Sequence, residues 1–288
     1  MPPLDSKDKL FHKKSTLNCR GKILSLSTPQ VMGILNLTPD SFYAGSRLSS
    51  AAEAVKRAEA MLTDGADILD IGGYSSRPGA ADISEQEEID RVVPAIEAIH
   101  AAFPEAILSI DTFRAKVAEA AIKAGTSIIN DISGGNLDEA MFETVAKLQV
   151  PYILMHMRGT PQTMTTLAKY EDVVVEVLDE LQTKVAQLTR LGVKDIILDP
   201  GFGFAKTIEH NFELLRRMDE LRILGLPILA GMSRKSMVYK ALGIDQADAI
   251  TGTIAANTIA LMKGAAILRV HDVKETKQTV QIYSKTIL

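Results

Sequence analysis

The stretch Ile196-Ile-Leu-Asp-Pro-Gly-Phe-Gly-Phe204, followed by Ala205-Lys206, carries the pattern that decides the fold. A short apolar run ends on the carboxylate of Asp199 and then breaks into proline and glycine before a helical pattern resumes near Ile208. This order predicts a buried parallel strand that ends at Asp199, with a glycine-rich loop over its C-terminal end. By itself the pattern fits an ordinary strand-to-helix turn equally well, because Asp and Gly are common in turns.

The same arrangement recurs along the chain. Short apolar runs begin near Val31, Ile68, Ile107, Ile128, Tyr152, Ile196, Ile228 and Ala266. Segments with helical periodicity lie between them, for example at 51–62, 115–124, 173–191 and 211–218. Ser84-Glu-Gln-Glu87 has the spacing of a capping box at one helix start. Eight strand–helix alternations without hairpin chemistry favour an α/β fold, a (β/α)8 TIM barrel in a single domain, over a doubly wound open sheet.

The barrel is predicted to span 31–288. Residues 1–30 are polar and irregular, and they are predicted to form a short N-terminal extension that covers the barrel bottom. Cys19-Arg-Gly-Lys22 is expected to be a turn between two short extended pieces of this extension.

Composition narrows the class of protein. The chain has 288 residues, a length typical of one α/β barrel, and 46% apolar with 24% charged residues indicates a globular enzyme. A net charge of −4 gives no global basic field for nucleic acid or an anionic membrane. The single cysteine, Cys19, excludes an intrachain disulfide and favours a reducing compartment. Without a signal-peptide pattern or an apolar run near the roughly 20 residues of a membrane span, the chain is predicted to be cytoplasmic.

Polar residues follow every one of the eight predicted strands. They are Asn36, Asp70, Asp111, Asn130 with Asp131, His156, Asp199, Ser233 to Ser236, and Arg269 with His271. Barrel active sites are assembled from the C-terminal ends of the strands, which all point at one mouth. One polar strand end is unremarkable in a globular protein, but eight of eight indicate a site.

One group of these residues is expected to be buried at strand ends: Asp111, Asn130, Asp199 and Lys235. An unpaired buried polar group costs about 1–3 kcal/mol, so each needs a partner. Carboxylates, an amide and an ammonium in one pocket suit a flat heterocycle with several N–H, amino and carbonyl groups. For any single residue, a hydrogen bond to a neighbouring strand is an alternative. Four large apolar residues nearby are predicted to be packing walls: Met155, Met157, Phe202 and Phe204.

A second group is cationic or otherwise suited to an anion: Ser233, Arg234, Ser236, Arg269, His271 and Arg77. Barrels often bind phosphate at the loops after strands 7 and 8, which predicts a phosphate or diphosphate here. The alternative, plain surface charge, fits less well beside glycine at a strand end. Asn36 offers a neutral oxygen that, with diphosphate oxygens and waters, would suit Mg²⁺. No Cys/His spacing supports zinc.

Two loops, 36–47 and 72–81, carry few apolar anchors and are predicted to be mobile lids. Asp40, Ser41 and Arg77 are the candidate lid residues. Residues 82–88 are expected to be plain solvated surface.

Eight motifs, in order, resemble those of the dihydropteroate synthase family. They are Met32-Gly-Ile-Leu-Asn-Leu-Thr-Pro-Asp-Ser-Phe42, Ser76-Arg-Pro-Gly79, Ser109-Ile-Asp-Thr112, Asn130-Asp-Ile-Ser-Gly134, Leu154-Met-His-Met157, Asp199-Pro-Gly-Phe-Gly-Phe204, Ser233-Arg-Lys-Ser236 and Arg269-Val-His-Asp272. The resemblance runs from about Val31 to the C-terminal helix. Members of that family are (β/α)8 barrels, usually homodimers, and targets of sulfonamides.

The resemblance implies condensation of 6-hydroxymethyl-7,8-dihydropterin diphosphate with 4-aminobenzoate in folate biosynthesis. It implies three sets of site residues: Asp111, Asn130, Asp199 and Lys235 with Met155 for the pterin; Asn36, Arg269 and His271 for the diphosphate, with Mg²⁺ at Asn36; and Ser76, Arg77, Phe204 and Ser236 for 4-aminobenzoate. Catalysis would rest on electrostatic stabilisation by Lys235, Asp111, Asp199, Arg269 and His271 rather than on a nucleophile.

The chain departs from the family pattern in its loops. Position 74 is Tyr where Glu is usual, Ser76 replaces Thr, and the first loop ends in Phe-Tyr-Ala-Gly-Ser-Arg47. The family also implies a homodimer, for which the apolar-rich stretch Ile250–Met262 is a candidate surface, although it also fits core packing. Two alternatives stay open: a pterin-dependent methyltransferase barrel and a non-catalytic pterin-binding relative. The second should have lost some of Asn36, Arg77, Lys235 and His271, and this chain retains all four.

Overall fold

The computed structural model describes residues 14–37, 47–75 and 82–287. The strands in these ranges are β1 (Thr16–Cys19), β2 (Lys22–Ser25), β3 (Gln30–Asn36), β4 (Ile68–Gly72), β5 (Ile107–Asp111), β6 (Ile128–Asp131), β7 (Tyr152–Met155), β8 (Ile196–Asp199), β9 (Ile228–Ala230) and β10 (Ala265–Val270). Strands β3 to β10 are parallel and follow one another around a closed barrel, in which β10 pairs with both β9 and β3. The predicted (β/α)8 barrel is therefore confirmed.

Helices surround this barrel. They are α1 (Arg47–Thr63), α2 (Glu85–Ala102), α3 (Ala115–Ala124), α4 (Met141–Leu148), α5 (Val173–Arg190), α6 (Ile208–Arg216), α7 (Ser236–Leu242), α8 (Ile250–Met262) and α9 (Val273–Ile287). Both α7 and α8 lie between β9 and β10. Strands β4 and β6 to β9 are buried at every position, as expected when helices cover a parallel sheet. None of the helices in the described ranges is long and apolar enough to cross a membrane.

The predicted strand starts agree with the structure to within one residue, and a helix begins at Ile208 as predicted, although the periodic segment at 211–218 omits its first turn. Helix α6 begins at Ile208, because Thr207 caps it through a capping box with His210. The Thr207 hydroxyl accepts from the backbone N–H of His210 at 3.2 Å, and the imidazole Nδ1 of His210 accepts from the backbone N–H of Thr207 at 3.3 Å. A search for Glu or Gln at this position overlooks a histidine in the same role.

The predicted capping box at Ser84 forms in one direction. The Ser84 hydroxyl accepts from the Glu87 backbone N–H at 3.1 Å, which caps α2 as predicted. The Glu87 carboxylate, however, accepts from Arg91 at 2.6 Å. An Arg four residues later on the helix thus binds the carboxylate that would complete the box.

The prediction of a plain solvated surface at 82–88 is wrong for Glu88. This side chain is fully buried, and one carboxylate oxygen accepts from Arg114 at 2.8 Å. Burial raises the pKa of Glu88, while the charge of Arg114 opposes the shift. Because Arg114 belongs to the loop after β5, its contact with α2 could not be read from the local sequence.

The hairpin formed by β1 and β2 packs against the N-terminal end of the barrel. Its turn consists of Arg20 and Gly21, both with positive φ, as the predicted turn in this segment requires. The inward side chains of the hairpin form one apolar cluster with residues from the starts of the barrel strands; the members include Leu17, Cys19, Leu24, Leu26, Met32, Ile68, Ile128, Ile153, Ile197 and Leu229. Burial raises the pKa of the Cys19 thiol to about 12, with the charge of Asp195 adding to the shift, so this cysteine serves packing.

We expect the hairpin to contribute to stability through its buried side only. Leu17 is fully buried, whereas Ile23 of the same hairpin is 66% exposed. Leu17→Ala should lower the free energy of unfolding by about 2–5 kcal/mol, because it leaves a cavity at the barrel end. Ile23→Ala should change it by about 0.5 kcal/mol or less. Urea denaturation of both variants measures the difference, and equal effects would show that the hairpin does not cover the barrel bottom.

Candidate active site

The strand register brings the predicted pocket residues to one mouth of the barrel. Asp111 is the partner of Gly72 on one side and of Asn130 on the other. Asp199 is the partner of Met155 across β7 and β8. The ends of β5, β6, β7 and β8 therefore present these side chains at the same level, as the barrel topology requires.

A chain of ion pairs connects three of the strands at this mouth. Arg269 donates through Nε to Asp70 at 2.6 Å and through Nη2 to Asp111 at 2.5 Å. Asp70 also accepts from the Asn130 amide at 2.9 Å. Asp70 is fully buried, so the two side chains that it contacts are fixed in direction. It thereby orients Asn130 and Arg269 from deeper in the barrel than Asp111, at the level of Ser109.

The sequence prediction named Asp70 among the polar residues at the strand ends but gave it no binding or catalytic role. The signal that could have found it is its position inside the apolar run Ile68-Leu-Asp-Ile-Gly72, because a charge within a buried strand needs a buried partner. Two further side chains to which the sequence prediction gave no role are His156, which follows β7, and Lys206, in the loop after β8; they are in contact with each other.

The carboxyl group of Asp111 is shifted towards its neutral form. Burial raises the pKa of Asp111 to about 7, the charge of Asp70 adds to this shift, and the Arg269 guanidinium opposes it. Near neutral pH the carboxyl is therefore balanced between its protonated and ionised forms. A ligand with an N–H donor or a positive charge at this point would favour the ionised form.

The glycine loop after β8 places Lys235 beside Asp199. The Asp199 carboxylate is 5% exposed and accepts from the Gly201 N–H at 2.7 Å. Lys235 donates to the carbonyl of Phe202, and its ammonium lies 4.6 Å from the ring centroid of Phe204. Burial lowers the pKa of Lys235 to about 8, opposed by the charge of Asp199. Gly203 is required here, because a Cβ at this position would lie 2.9 Å from Cδ of Lys235.

The predicted apolar residues do form packing walls. A cluster at the mouth contains Ile132, Met155, Met157, Met164 and Ala205, with Phe113, Leu137 and Phe204 packed against it. Phe202 is fully buried in the main core. The polar groups of the mouth therefore face an apolar side, as a flat ring would need.

The residues predicted to bind an anion separate into two arrangements. Ser233 and His271 form a pair, with Oγ of Ser233 at 2.9 Å from Nδ1 of His271 and accepting from the His271 backbone N–H at 3.1 Å. Arg234 points elsewhere: it donates to both oxygens of Asp272, at 2.9 and 2.7 Å. The Arg234 side chain therefore connects the loop after β9 to the start of α9 and is not directed at a bound anion. Ser236 is the first residue of α7.

Asn36 and Asp111 flank Gly72. A Cβ built on Gly72 would lie 3.5 Å from Oδ1 of Asn36 and 3.5 Å from Cβ of Asp111. Within the described ranges, no group of three or more His, Cys, Asp or Glu side chains could hold a metal ion. A single amide oxygen fits Mg²⁺ only if phosphates and waters supply the other ligands, which is how this ion is usually bound.

Four predicted residues cannot be placed. Ser76 and Arg77 of the second loop, and Asp40 and Ser41 of the first, lie outside the described residues. Tyr74 of the second loop lies within the described residues. Its ring packs edge-on against that of Phe113, with 5.0 Å between the ring centroids, and the guanidinium of Arg114 lies 5.3 Å from the centroid of the Tyr74 ring.

The fold and the mouth together define a barrel enzyme of the pterin-binding class. The family model described as "Pterin binding enzyme" matches residues 32–271. The dihydropteroate synthase of Escherichia coli strain K12 is 44% identical over 273 residues, covering 94% of this chain and 96% of that protein. The structure is similar to that of a Xanthomonas albilineans dihydropteroate synthase with 4-aminobenzoic acid (TM-score 0.88, 38% identity, 94% of this chain and 98% of that chain). It is also similar to a Yersinia pestis dihydropteroate synthase in a sulfonamide complex (TM-score 0.87, 44% identity, 94% and 98%). The chain belongs to the dihydropteroate synthase family.

We expect the loop after β8 to depend on glycine at position 201 for spatial as well as conformational reasons. Gly201 and Gly192 both have positive φ, but a Cβ at Gly201 would lie 2.0 Å from the carbonyl oxygen of His156, whereas one at Gly192 meets nothing within 4 Å. Gly192→Ala should cost about 1–2 kcal/mol from left-handed strain. Gly201→Ala should cost more, by about 2 kcal/mol or more, because the loop must move. Urea denaturation compares the two, and equal losses would contradict the contact.

Proposed function

We propose that the protein condenses 6-hydroxymethyl-7,8-dihydropterin diphosphate with 4-aminobenzoate, giving 7,8-dihydropteroate and pyrophosphate in folate biosynthesis. The observation that carries this proposal is the convergence of Asp111, Asn130, Asp199 and Lys235 on one barrel mouth with an apolar wall. Membership of the dihydropteroate synthase family supports the same reaction.

The polar pocket residues would bind the pterin ring. The Asp111 and Asp199 carboxylates accept from ring N–H and amino groups, and Lys235 donates to ring acceptors. When the C–O bond to diphosphate breaks, positive charge develops on the pterin and its exocyclic carbon. Two carboxylates held in fixed positions stabilise that charge more than they stabilise the neutral ring, which is the differential binding that accelerates a reaction.

The leaving diphosphate would face Asn36, Arg269 and His271. Arg269 is held by Asp70 and Asp111, so its guanidinium need not reorganise when the diphosphate departs. His271 is oriented by Ser233. When bound, Mg²⁺ would supply Lewis-acid neutralisation of charge on the departing diphosphate, with Asn36 as its protein ligand.

The second substrate would enter beside Phe204 and Ser236. The amine nitrogen of 4-aminobenzoate forms the new C–N bond to the exocyclic carbon and then loses a proton. In this proposal, Ser76 and Arg77 also bind 4-aminobenzoate. The reaction needs no nucleophilic residue, since the bond to diphosphate breaks without an attacking side chain.

The proposed partners are small-molecule substrates and a second copy of the chain. Helix α8 buries one face, which includes Ala256 and Leu261, and exposes Ile259 (43%) and Met262 (73%) on another. The predicted core packing and the proposed dimer surface are thus compatible on this one helix. A cytoplasmic location stays a prediction that rests on cysteine usage.

The assay that tests the reaction measures pyrophosphate release and dihydropteroate formation from the pterin diphosphate, with and without 4-aminobenzoate and Mg²⁺. Product that requires both substrates and Mg²⁺ is the expected result. Saturable binding of the pterin diphosphate without product would instead favour a non-catalytic relative or a methyltransferase barrel.

Lys235→Ala should lower kcat/KM at least about 100-fold, because it removes a charged group from a water-poor pocket. Lys240→Ala, which changes an exposed lysine of the adjacent helix, is the control and should retain near-normal kinetics. Circular dichroism establishes that both variants fold. Normal turnover in Lys235→Ala would refute the pterin role of this residue.

Met262→Lys should convert the proposed dimer into a monomer, because it places a charge on the exposed apolar surface of α8. Ile23→Lys introduces the same charge at another exposed apolar position, in the β1–β2 hairpin, and should leave the dimer intact. Sedimentation equilibrium measures the mass of each variant. A monomeric wild-type protein would refute the dimer.

A further inference from the structure

Lys206 directly follows the glycine loop, and its ammonium has three neutral acceptors. It donates to the carbonyl of Gly201 at 3.0 Å, to the carbonyl of Phe204 at 3.1 Å, and to Nδ1 of His156 at 3.0 Å. An ammonium has three N–H groups, so these contacts use all of them. No carboxylate among the described residues accepts a hydrogen bond from Lys206.

His156 is oriented from both sides of its ring. Nδ1 faces Lys206, and Nε2 lies 3.1 Å from a carboxylate oxygen of Glu180. Glu180 is in turn held by Arg158, whose Nε and Nη2 donate to it at 2.9 and 2.5 Å. Burial lowers the pKa of His156 to about 4, and the charge of Lys206 adds to this shift. The imidazole is therefore neutral near pH 7, with Nδ1 as the acceptor and the proton on Nε2.

The two carbonyls that Lys206 binds are the two ends of one turn. The Phe204 N–H donates to the Gly201 carbonyl at 3.1 Å, which closes the turn. Within it, the Gly203 N–H donates to Asn211 at 2.7 Å, and the Phe202 carbonyl accepts from Lys235. The turn therefore determines where the Phe204 ring lies relative to the Lys235 ammonium.

We propose that Lys206 is a positioning residue for the second substrate: its ammonium fixes the turn 201–204 through both carbonyls and His156, and so sets the Phe204 ring against Lys235. The inference rests on the proposed function, which gives the Phe204 side of the mouth to 4-aminobenzoate. Lys206 itself need not touch either substrate.

The charge on Lys206 depends on its surroundings. Burial lowers the pKa of Lys206 to about 7; Asp199 and Glu180 favour the charged form, whereas Lys235 and Arg158 disfavour it. His156, the remaining titratable group in contact, is neutral in this range. A neutral amine has only two N–H groups, so one of the three contacts is lost as pH rises through about 7. The turn is then held less firmly on the alkaline side.

The test compares Lys206→Met with Lys184→Met. Lys184 is a second partly buried lysine, whose ammonium lies 3.5 Å from the carbonyl of Ser133 on a different loop. At pH 6.5, Lys206→Met should raise the KM for 4-aminobenzoate about tenfold, as expected for the loss of one or two hydrogen bonds. The KM of Lys206→Met for the pterin diphosphate should change about twofold at most. In Lys184→Met, both KM values should change by less than about twofold.

The pH dependence separates positioning from a merely structural role. The ratio of the variant's KM for 4-aminobenzoate to that of the wild type should shrink as pH rises through about 7, because the wild type then loses the same contact. Taking a ratio removes titrations that both proteins share, such as that of Asp111. A ratio that stays constant from pH 6 to 9, or equal increases in both KM values, would overturn the inference. Thermal unfolding monitors the fold, and Lys206→Gln, which keeps two N–H donors, replaces the Met variant if that variant does not fold.

A measurement on the wild type alone tests the hydrogen bond itself. Long-range ¹⁵N–¹H NMR, with the His156 signals assigned by their loss in His156→Asn, should show Nδ1 unprotonated and Nε2 protonated between pH 6 and 8. A proton on Nδ1 would exclude the bond from Lys206 and end the inference. If the wild type forms no dihydropteroate, the proposed function fails and the inference falls with it. If the wild type is active and Lys206→Met behaves like Lys184→Met, only the inference fails.

Discussion

The buried carboxylate of Asp70 is the constraint on which the mouth of this barrel depends. It lies inside β4, fully buried, and binds side chains from β6 and β10 at once. Removing one partner of a buried ion pair typically costs 3–5 kcal/mol, because the other charge is left uncompensated. Asn130 and Arg269 are therefore held in one direction before any ligand arrives. Such prior orientation lets fixed charges act on a transition state without rearranging.

The pocket balances opposite charges at short range rather than concentrating one sign. Three carboxylates, Asp70, Asp111 and Asp199, face the cations of Arg269 and Lys235. Burial raises the pKa of Asp111 and of Asp199 and lowers that of Lys235, so small changes of charge in the pocket can move protons. A ligand with an electron-rich ring and a diphosphate places opposite charges at the two ends of this arrangement when the diphosphate departs and positive charge develops on the ring. The ion pairs already present can then exchange partners.

Much of this structure could be predicted from the sequence, because the features concerned are local. Apolar runs that end on polar residues predicted the start of every barrel strand to within one residue, and Asp111, Asn130 and Asp199 do lie at one mouth. What failed was the choice of partners. Arg234 binds Asp272, and Glu88 binds Arg114, across long separations in the chain. Side-chain partners between elements follow from the barrel closure, which no local pattern contains.

The glycine loop after β8 depends both on its local sequence and on contacts with distant parts of the chain. Its sequence predicts a break after Asp199, but the reason for each glycine lies in another strand or loop: Gly201 avoids the carbonyl of His156, and Gly203 leaves room for Lys235. The loop has few side chains with which to hold itself, so its shape depends on side chains from outside: Asn211 accepts from the Gly203 N–H, and Lys235 and Lys206 donate to loop carbonyls. Burial has lowered the pKa values of these two lysines to about 8 and about 7. The flexibility that glycine permits is thus limited by protonation, which ties the geometry of the mouth to pH in the neutral range.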